Sequence, residues 1–206
     1  YHLAWTGTSG MDRADIQLQL NNVRFTCDAV YTASKIGCKK FVNAGSIMEY
    51  ETSKYTSADH STPGLSNIYS TAKLAADYMA KTVAVSLKLP YVTAIISNIY
   101  GIGERSPRFI NTTIKKFIYE DKTAFTNGEQ LYDFIYASDA ARALYLVGEG
   151  GVEYTSYYIG NQIQYPLKDF IIKMKNIVNK DIELTFGEIP FHGAMLNYKE
   201  FDTNKL

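Results

Sequence analysis

Two apolar runs, KKFVNAGS (39–46) and YVTAIIS (91–97), constrain the fold most. Each is bounded by turn signals, and the second is rich in β-branched side chains, as expected of strands buried on both faces. Long stretches of helical spacing precede them. Between Ala14 and Ile36, apolar residues fall at Ile16, Leu20, Val23, Cys27, Val30 and Ala33, with Gly37 as the stop. Before Pro90 they fall at Ala72, Ala75, Ala76, Met79, Val83 and Leu87. Steps of three and four place one stripe on a helix. Helix alternating with buried strand predicts an α/β fold with a mainly parallel sheet.

The rest of the chain continues the alternation. A turn-rich stretch (DHSTPGLSN, 59–67) precedes the second helix, and the polar residues around Tyr50 and Lys54 read as a loop. After the second strand come a loop (NIYGIGERSP), a helix over about 109–120 and short strands near Ala124 and Phe134. Ser138 and Asp139 are placed to cap a helix through Leu146 by accepting from its first free amides. A strand (SYYIG), a helix over about 167–178 and a strand (IELTF) follow.

Charge excludes some partners. Twenty-one basic and 21 acidic residues cancel, so no global field draws the chain to nucleic acid or an anionic membrane. There is no run of about 18 apolar residues and no signal-like start, which predicts a cytoplasmic protein. Cys27 and Cys38, about 16 Å apart along one helix, are too distant for a disulfide and are expected to be reduced. No metal-ligand pattern is present. The chain starts YHLAW and stops at FDTNKL, and is expected to be a piece of a longer protein, its last residues opening a further element.

Three Tyr–Lys pairs sit four residues apart: Tyr31–Lys35, Tyr50–Lys54 and Tyr69–Lys73. With 17 tyrosines in the chain, chance alone yields about one such pair, so context decides. The first pair lies late on a helix with no hydroxyl expected nearby, and the second in the polar loop. Tyr69 and Lys73 stand on one face of the first turns of a long helix, and small residues separate them. Upstream, Ser46 ends a buried strand, at the edge where open α/β sheets place ligands. A nearby ammonium stabilises a phenolate, so Tyr69 becomes an acid/base, with Ser46 hydrogen-bonding the substrate oxygen and Lys73 also reaching cofactor hydroxyls.

These residues stand in a chain that resembles the extended short-chain dehydrogenase/reductase family, in its nucleotide-sugar epimerase/dehydratase branch. HLAW (His2 to Trp5), LNNVRFT, NAGSIMEY, YSTAK, SNIYGIGE and TNGEQLYDFIYASDAARAL match the family's segments in order. The resemblance implies a Rossmann-like domain (1–101 and 132–160) that binds NAD or NADP, lacking its first βαβ units and glycine-rich loop in this stretch. It also implies a smaller C-terminal substrate-binding lobe (102–131 and 161–206). Without that loop the 206 residues are expected to bind dinucleotide poorly. Carried over by position, Ser46, Tyr69 and Lys73 would be catalytic. Ala4, Asn22 and Ser97 would join them in contacting the cofactor, and Asn98, Arg108 and Tyr132 would join Ser46 in contacting a nucleotide sugar.

Departures refine what the resemblance implies. Trp5 replaces a small residue where the family packs closely on its cofactor, as a local rearrangement or as an aromatic buried at a strand end. Ile47 and Met48 stand where family dehydratases carry an Asp–Glu pair, which favours a 4-epimerase or 4-keto reductase over a dehydratase. Tyr132 replaces a phosphate-gripping arginine, a task Arg105 or Arg108 would take over. A non-catalytic dinucleotide sensor or scaffold is the reading from another class. The two long helices would form a homodimer interface in the intact protein.

Overall fold

The computed structural model describes residues 1–56, 63–161, 163–192 and 195–197. Part of the expected turn-rich stretch (59–62) and the element expected at the very end (201–206) lie outside the described residues. In chain order the elements are α1 (Ile16–Lys35), β1 (Phe41–Ser46), α2 (Met48–Thr56), α3 (Asn67–Ser86), β2 (Tyr91–Ile96), β3 (Asn98–Tyr100) and α4 (Phe109–Tyr119). Then follow β4 (Leu131–Tyr132), β5 (Phe134–Tyr136), α5 (Ala137–Gly150), β6 (Ser156–Ile159), β7 (Tyr165–Pro166) and α6 (Leu167–Val178). A 3₁₀ turn, Gly10–Ala14, leads into α1.

Local chemistry sets the helix ends. Asp15 caps α1 by accepting from the Leu18 amide at 2.9 Å, which satisfies one of the free N–H groups of the first turn. Gly37 takes φ +74°, and the Gly37 and Cys38 amides donate back to Ser34 and Ala33, the left-handed closure that glycine accommodates without strain.

β1, β2 and β6 form a parallel sheet in that order. Residues 1–4 extend it, since the His2 amide donates to Val42 and the Ala44 amide to His2. The strands are buried on both faces, and alternation divides their side chains. Phe41 and Tyr91 pack with Val30 and Ala33 of α1 and Ala80 and Ala84 of α3. Val42, Val92 and Ala94 pack with Ala140 and Val147 of α5. Along α3, Ala72, Ala76, Ala80 and Ala84 are all buried, a stripe of small side chains at four-residue spacing. α4, α6 and the β4–β7 ladder enclose a separate cluster around Phe117, Phe125, Leu167 and Ile171.

Five expectations need correction. Tyr50 and Lys54 lie on the helix α2, not in a loop: Ile47 and Tyr50 pack on Ile95 and Tyr158, and this tertiary contact holds a polar sequence helical. Neither IELTF nor the stretch near Ala124 forms a strand; only Phe186 and Phe125 bridge. The loop expected from Asn98 begins with β3, which pairs with β5. Ser138 and Asp139 sit inside the first turn of α5, whose cap residue is Tyr136 and which runs on to Gly150.

The alanine stripe generates a stability prediction. Ala80→Leu is expected to cost about 1–3 kcal/mol by overpacking the fully buried α1–α3 seam. Val85→Leu, at a site 53% exposed, should stay within about 0.5 kcal/mol. Urea unfolding of both variants checks this, and equal midpoints would refute the seam.

Candidate active site

The parallel register pairs Ser46 with Ile96. Ser46 and Ser97, the residue after β2, therefore leave the sheet at one carboxyl edge, and the first turns of α3 bring Tyr69 to it. The three line a cavity of about 620 Å³ together with Arg13, Asn98, Arg108 and Tyr132. Ala4, Asn22 and Lys73 lie outside its lining.

Ser46 and Tyr69 stand together on the cavity wall, and the Ser46 side chain is near enough to bear on the phenol. The Met48 amide donates to Ser46 Oγ at 3.2 Å, which leaves the serine hydrogen available as a donor. Burial raises the Tyr69 pKa; the Ser46 side chain opposes it first, then the charges of Arg13 and Arg108. The cation beside the phenol is thus Arg13, with its guanidinium carbon 4.5 Å from the Tyr69 ring centroid.

Lys73 turns inward instead. Its Nζ donates to the Ala44 carbonyl at 2.9 Å and lies 4.0 Å from the centroid of the Trp5 ring. Trp5 in turn meets Tyr69 edge-on, with centroids 6.0 Å apart, and its Nε1 donates to Gln19 Oε1 at 2.9 Å. Trp5 is thus a half-buried aromatic between the two residues of the pair. A desolvated cation on an indole face is worth about 2 kcal/mol. Burial still lowers the Lys73 pKa to about 8, against the opposing charges of Glu49 and Asp77.

Glu49 and Asp77 make this a buried charge cluster. Glu49 accepts from the Ser46 amide at 2.7 Å, and burial first, then the Asp77 charge, raises its pKa to about 7. Gly45 packs closely beside it: a Cβ there would come within 3.0 Å of Glu49 Oε1 and 2.8 Å of Ile95 Cδ1, so these side chains would have to shift. Asp77 accepts from Thr93 Oγ1 (2.6 Å), Tyr91 Oη (3.0 Å) and Asn43 Nδ2 (3.3 Å).

Asn22 is spent on the backbone: its Nδ2 donates to the Thr6 carbonyl at 2.8 Å and its Oδ1 accepts from the Thr6 amide at 3.1 Å. Ser97 Oγ is buried without a partner. Asn98 is fixed by Asp133, whose carbonyl accepts from its backbone and side-chain N–H groups. Tyr132 stacks on Phe134, and burial raises its pKa. Arg108 is exposed at the rim. Arg13, Glu49 and Asp77 escaped the sequence reading; only the shared face of Tyr69, Lys73 and Asp77, at steps of four, signalled any of them.

The cluster gives a pH prediction. A carboxyl whose folded pKa exceeds its ordinary 4.5 binds its proton more tightly in the fold, so its contribution to stability falls as pH rises from about 4.5 to about 7. Glu49→Gln removes that loss. The stability difference between variant and wild type should shift in favour of the variant across this window in urea titrations, and a difference independent of pH would refute the assignment.

The family model described as "NAD dependent epimerase/dehydratase family" matches residues 1–160. The dTDP-glucose 4,6-dehydratase of Escherichia coli is 33% identical over 96 residues, which are 46% of this chain and 26% of that enzyme. The chain thus spans under a third of the curated relatives it matches. Among solved structures, a UDP-N-acetylglucosamine 4-epimerase from Methanobrevibacter ruminantium superposes with TM-score 0.75 at 19% identity, covering 99% of this chain and 71% of that one. A UDP-glucuronic acid 4-epimerase from Bacillus cereus, in complex with NAD, gives 0.74 at 21%, covering 90% and 61%. These likenesses establish a shared Rossmann-like fold.

Proposed function

We propose, on the premise that the chain belongs to the NAD dependent epimerase/dehydratase family, that the intact protein acts on carbon 4 of a nucleotide sugar. The reading is a 4-epimerase or a 4-keto reductase using NAD or NADP. One observation carries it: the Ser46 hydroxyl and the Tyr69 phenol share the wall of a cavity of about 620 Å³. Ser46 orients the sugar oxygen, and Tyr69 takes or returns its proton. The bound cofactor supplies the hydride acceptor and donor.

The chain's own residues fit such a cofactor. Ser97 keeps a buried hydroxyl without a partner at the strand edge. Lys73 directs one N–H to Ala44 and has two more for hydroxyl groups. Ser46, Tyr69, Lys73 and Ser97 would hold the nicotinamide end, with Ala4 and Asn22 acting through the 1–10 segment that Asn22 pins. Asn98, Arg108 and Tyr132 would hold the nucleotide sugar, with Arg108 supplying the charge that Tyr132 lacks. Residues 1–101 and 132–160 would form the cofactor domain and 102–131 with 161–206 the substrate lobe. A homodimer through the outer faces of α1 and α3, where Leu20, Phe25, Met79 and Val85 are exposed, completes the reading.

Water elimination needs an acid and a base beside the reacting carbons. Ile47 and Met48, the residues that line the cavity after Ser46, carry no proton, which favours epimerisation or keto reduction.

Tyr69→Phe is expected to lower kcat by two or more orders of magnitude while nucleotide-sugar binding persists. Unchanged turnover would overturn the role of Tyr69. Interconversion of two epimers by the full-length protein without consumption of NAD(P)H would identify the epimerase and exclude the reductase.

A further inference from the structure

The cavity contains charge that this chemistry does not use. Arg13 Nε and Nη2 are buried without a hydrogen-bond partner. A desolvated guanidinium left unpaired is costly, and its planar fork of donors matches a carboxylate two bonds at a time. Glu104 is the one carboxylate among the lining residues, and it is committed to Ser106, accepting from its amide at 2.9 Å and its hydroxyl at 2.5 Å. Against it stand two guanidiniums, Arg13 and Arg108.

Arg13 is also held in place. Gln19, fully buried, donates to the carbonyls of Gly7 and Asp12 at 2.9 and 3.0 Å. Asn22 clamps Thr6, so the 3₁₀ turn that carries Arg13 is pinned to α1 from both sides. The Tyr69 ring then lies against the guanidinium. A fixed cation with free donors at the reacting tyrosine is the arrangement of a recognition site rather than of a solvated surface arginine.

We infer that Arg13 forms a subsite for a carboxylate carried by the sugar, close to the carbon that Tyr69 serves. This rests on the nucleotide-sugar reading above. The anion is the sugar's own and not the nucleotide's diphosphate, which is attached at the anomeric carbon, across the ring from carbon 4. The substrate class is then a nucleotide-linked sugar acid, and Arg13 separates it from the neutral hexose.

The test is calorimetric titration of the full-length protein with UDP-glucuronate, UDP-glucose and UDP. Wild type should bind UDP-glucuronate roughly tenfold or more tighter than UDP-glucose, the worth of a charge-assisted pair. Arg13→Gln should abolish that preference and leave UDP binding within about twofold. Arg13→Lys, which keeps the charge without the fork, should retain part of the preference, and it decides the matter if the Gln variant fails to fold. No preference in wild type, or UDP weakened as much as UDP-glucuronate in Arg13→Gln, would overturn the subsite. Free glucuronate bound through Arg13 by a protein that binds none of the three nucleotides would uphold the subsite and refute the nucleotide-sugar reading.

Discussion

The register of one helix against the sheet depends on a single buried carboxylate. Asp77 of α3 gathers donors from Asn43 on β1 and from Tyr91 and Thr93 on β2, and Lys81 pairs with its other oxygen at 3.3 Å. A charge removed from water is tolerated only when so surrounded, and deleting one partner of a buried pair costs about 3–5 kcal/mol. The helix therefore has few alternative ways to sit. Lys73, one turn earlier, reaches Ala44, and Tyr69, one turn earlier again, shares the cavity wall with Ser46. The geometry of the phenol and the serine is thus settled two turns away from them.

Where hydrophobic spacing or buried runs were strong, the sequence was read correctly. α6 occupies 167–178, as its apolar steps indicated, and β1 and β2 follow the two apolar runs. α2 was missed because ETSKYT carries turn-forming residues and little amphipathic pattern; the helix exists because its neighbours bury Ile47 and support Tyr50. IELTF misled in the opposite direction, since β-branched residues favour a strand only where a partner strand is available.

The site divides along the same line. That Ser46 and Tyr69 share one edge was legible from a strand end and a helix face, whereas Ser97 came from the family resemblance alone. The direction of Lys73 was not legible, because it is set by Glu49, Asp77 and the indole of Trp5, residues that come near it only in three dimensions. Arg13 sits in MDRAD, with no spacing to mark it, and becomes notable only once the fold has buried its donors. The protein uses two cations differently: one is sunk among carboxylates beneath the site, and the other faces the cavity unpaired. The first is tied to the sheet through Ala44, and the second is left available for a partner from outside.

Trp5 is the one tryptophan in the chain, and it touches both members of the Tyr–Lys pair. Its emission therefore carries no contribution from other indoles. An ammonium on one face and a phenol on its edge both perturb an excited indole, so anything that shifts Lys73 or Tyr69 changes its brightness or colour. The molecule has a built-in optical probe at its candidate catalytic centre, which needs no label and can be followed on the timescale of rapid mixing.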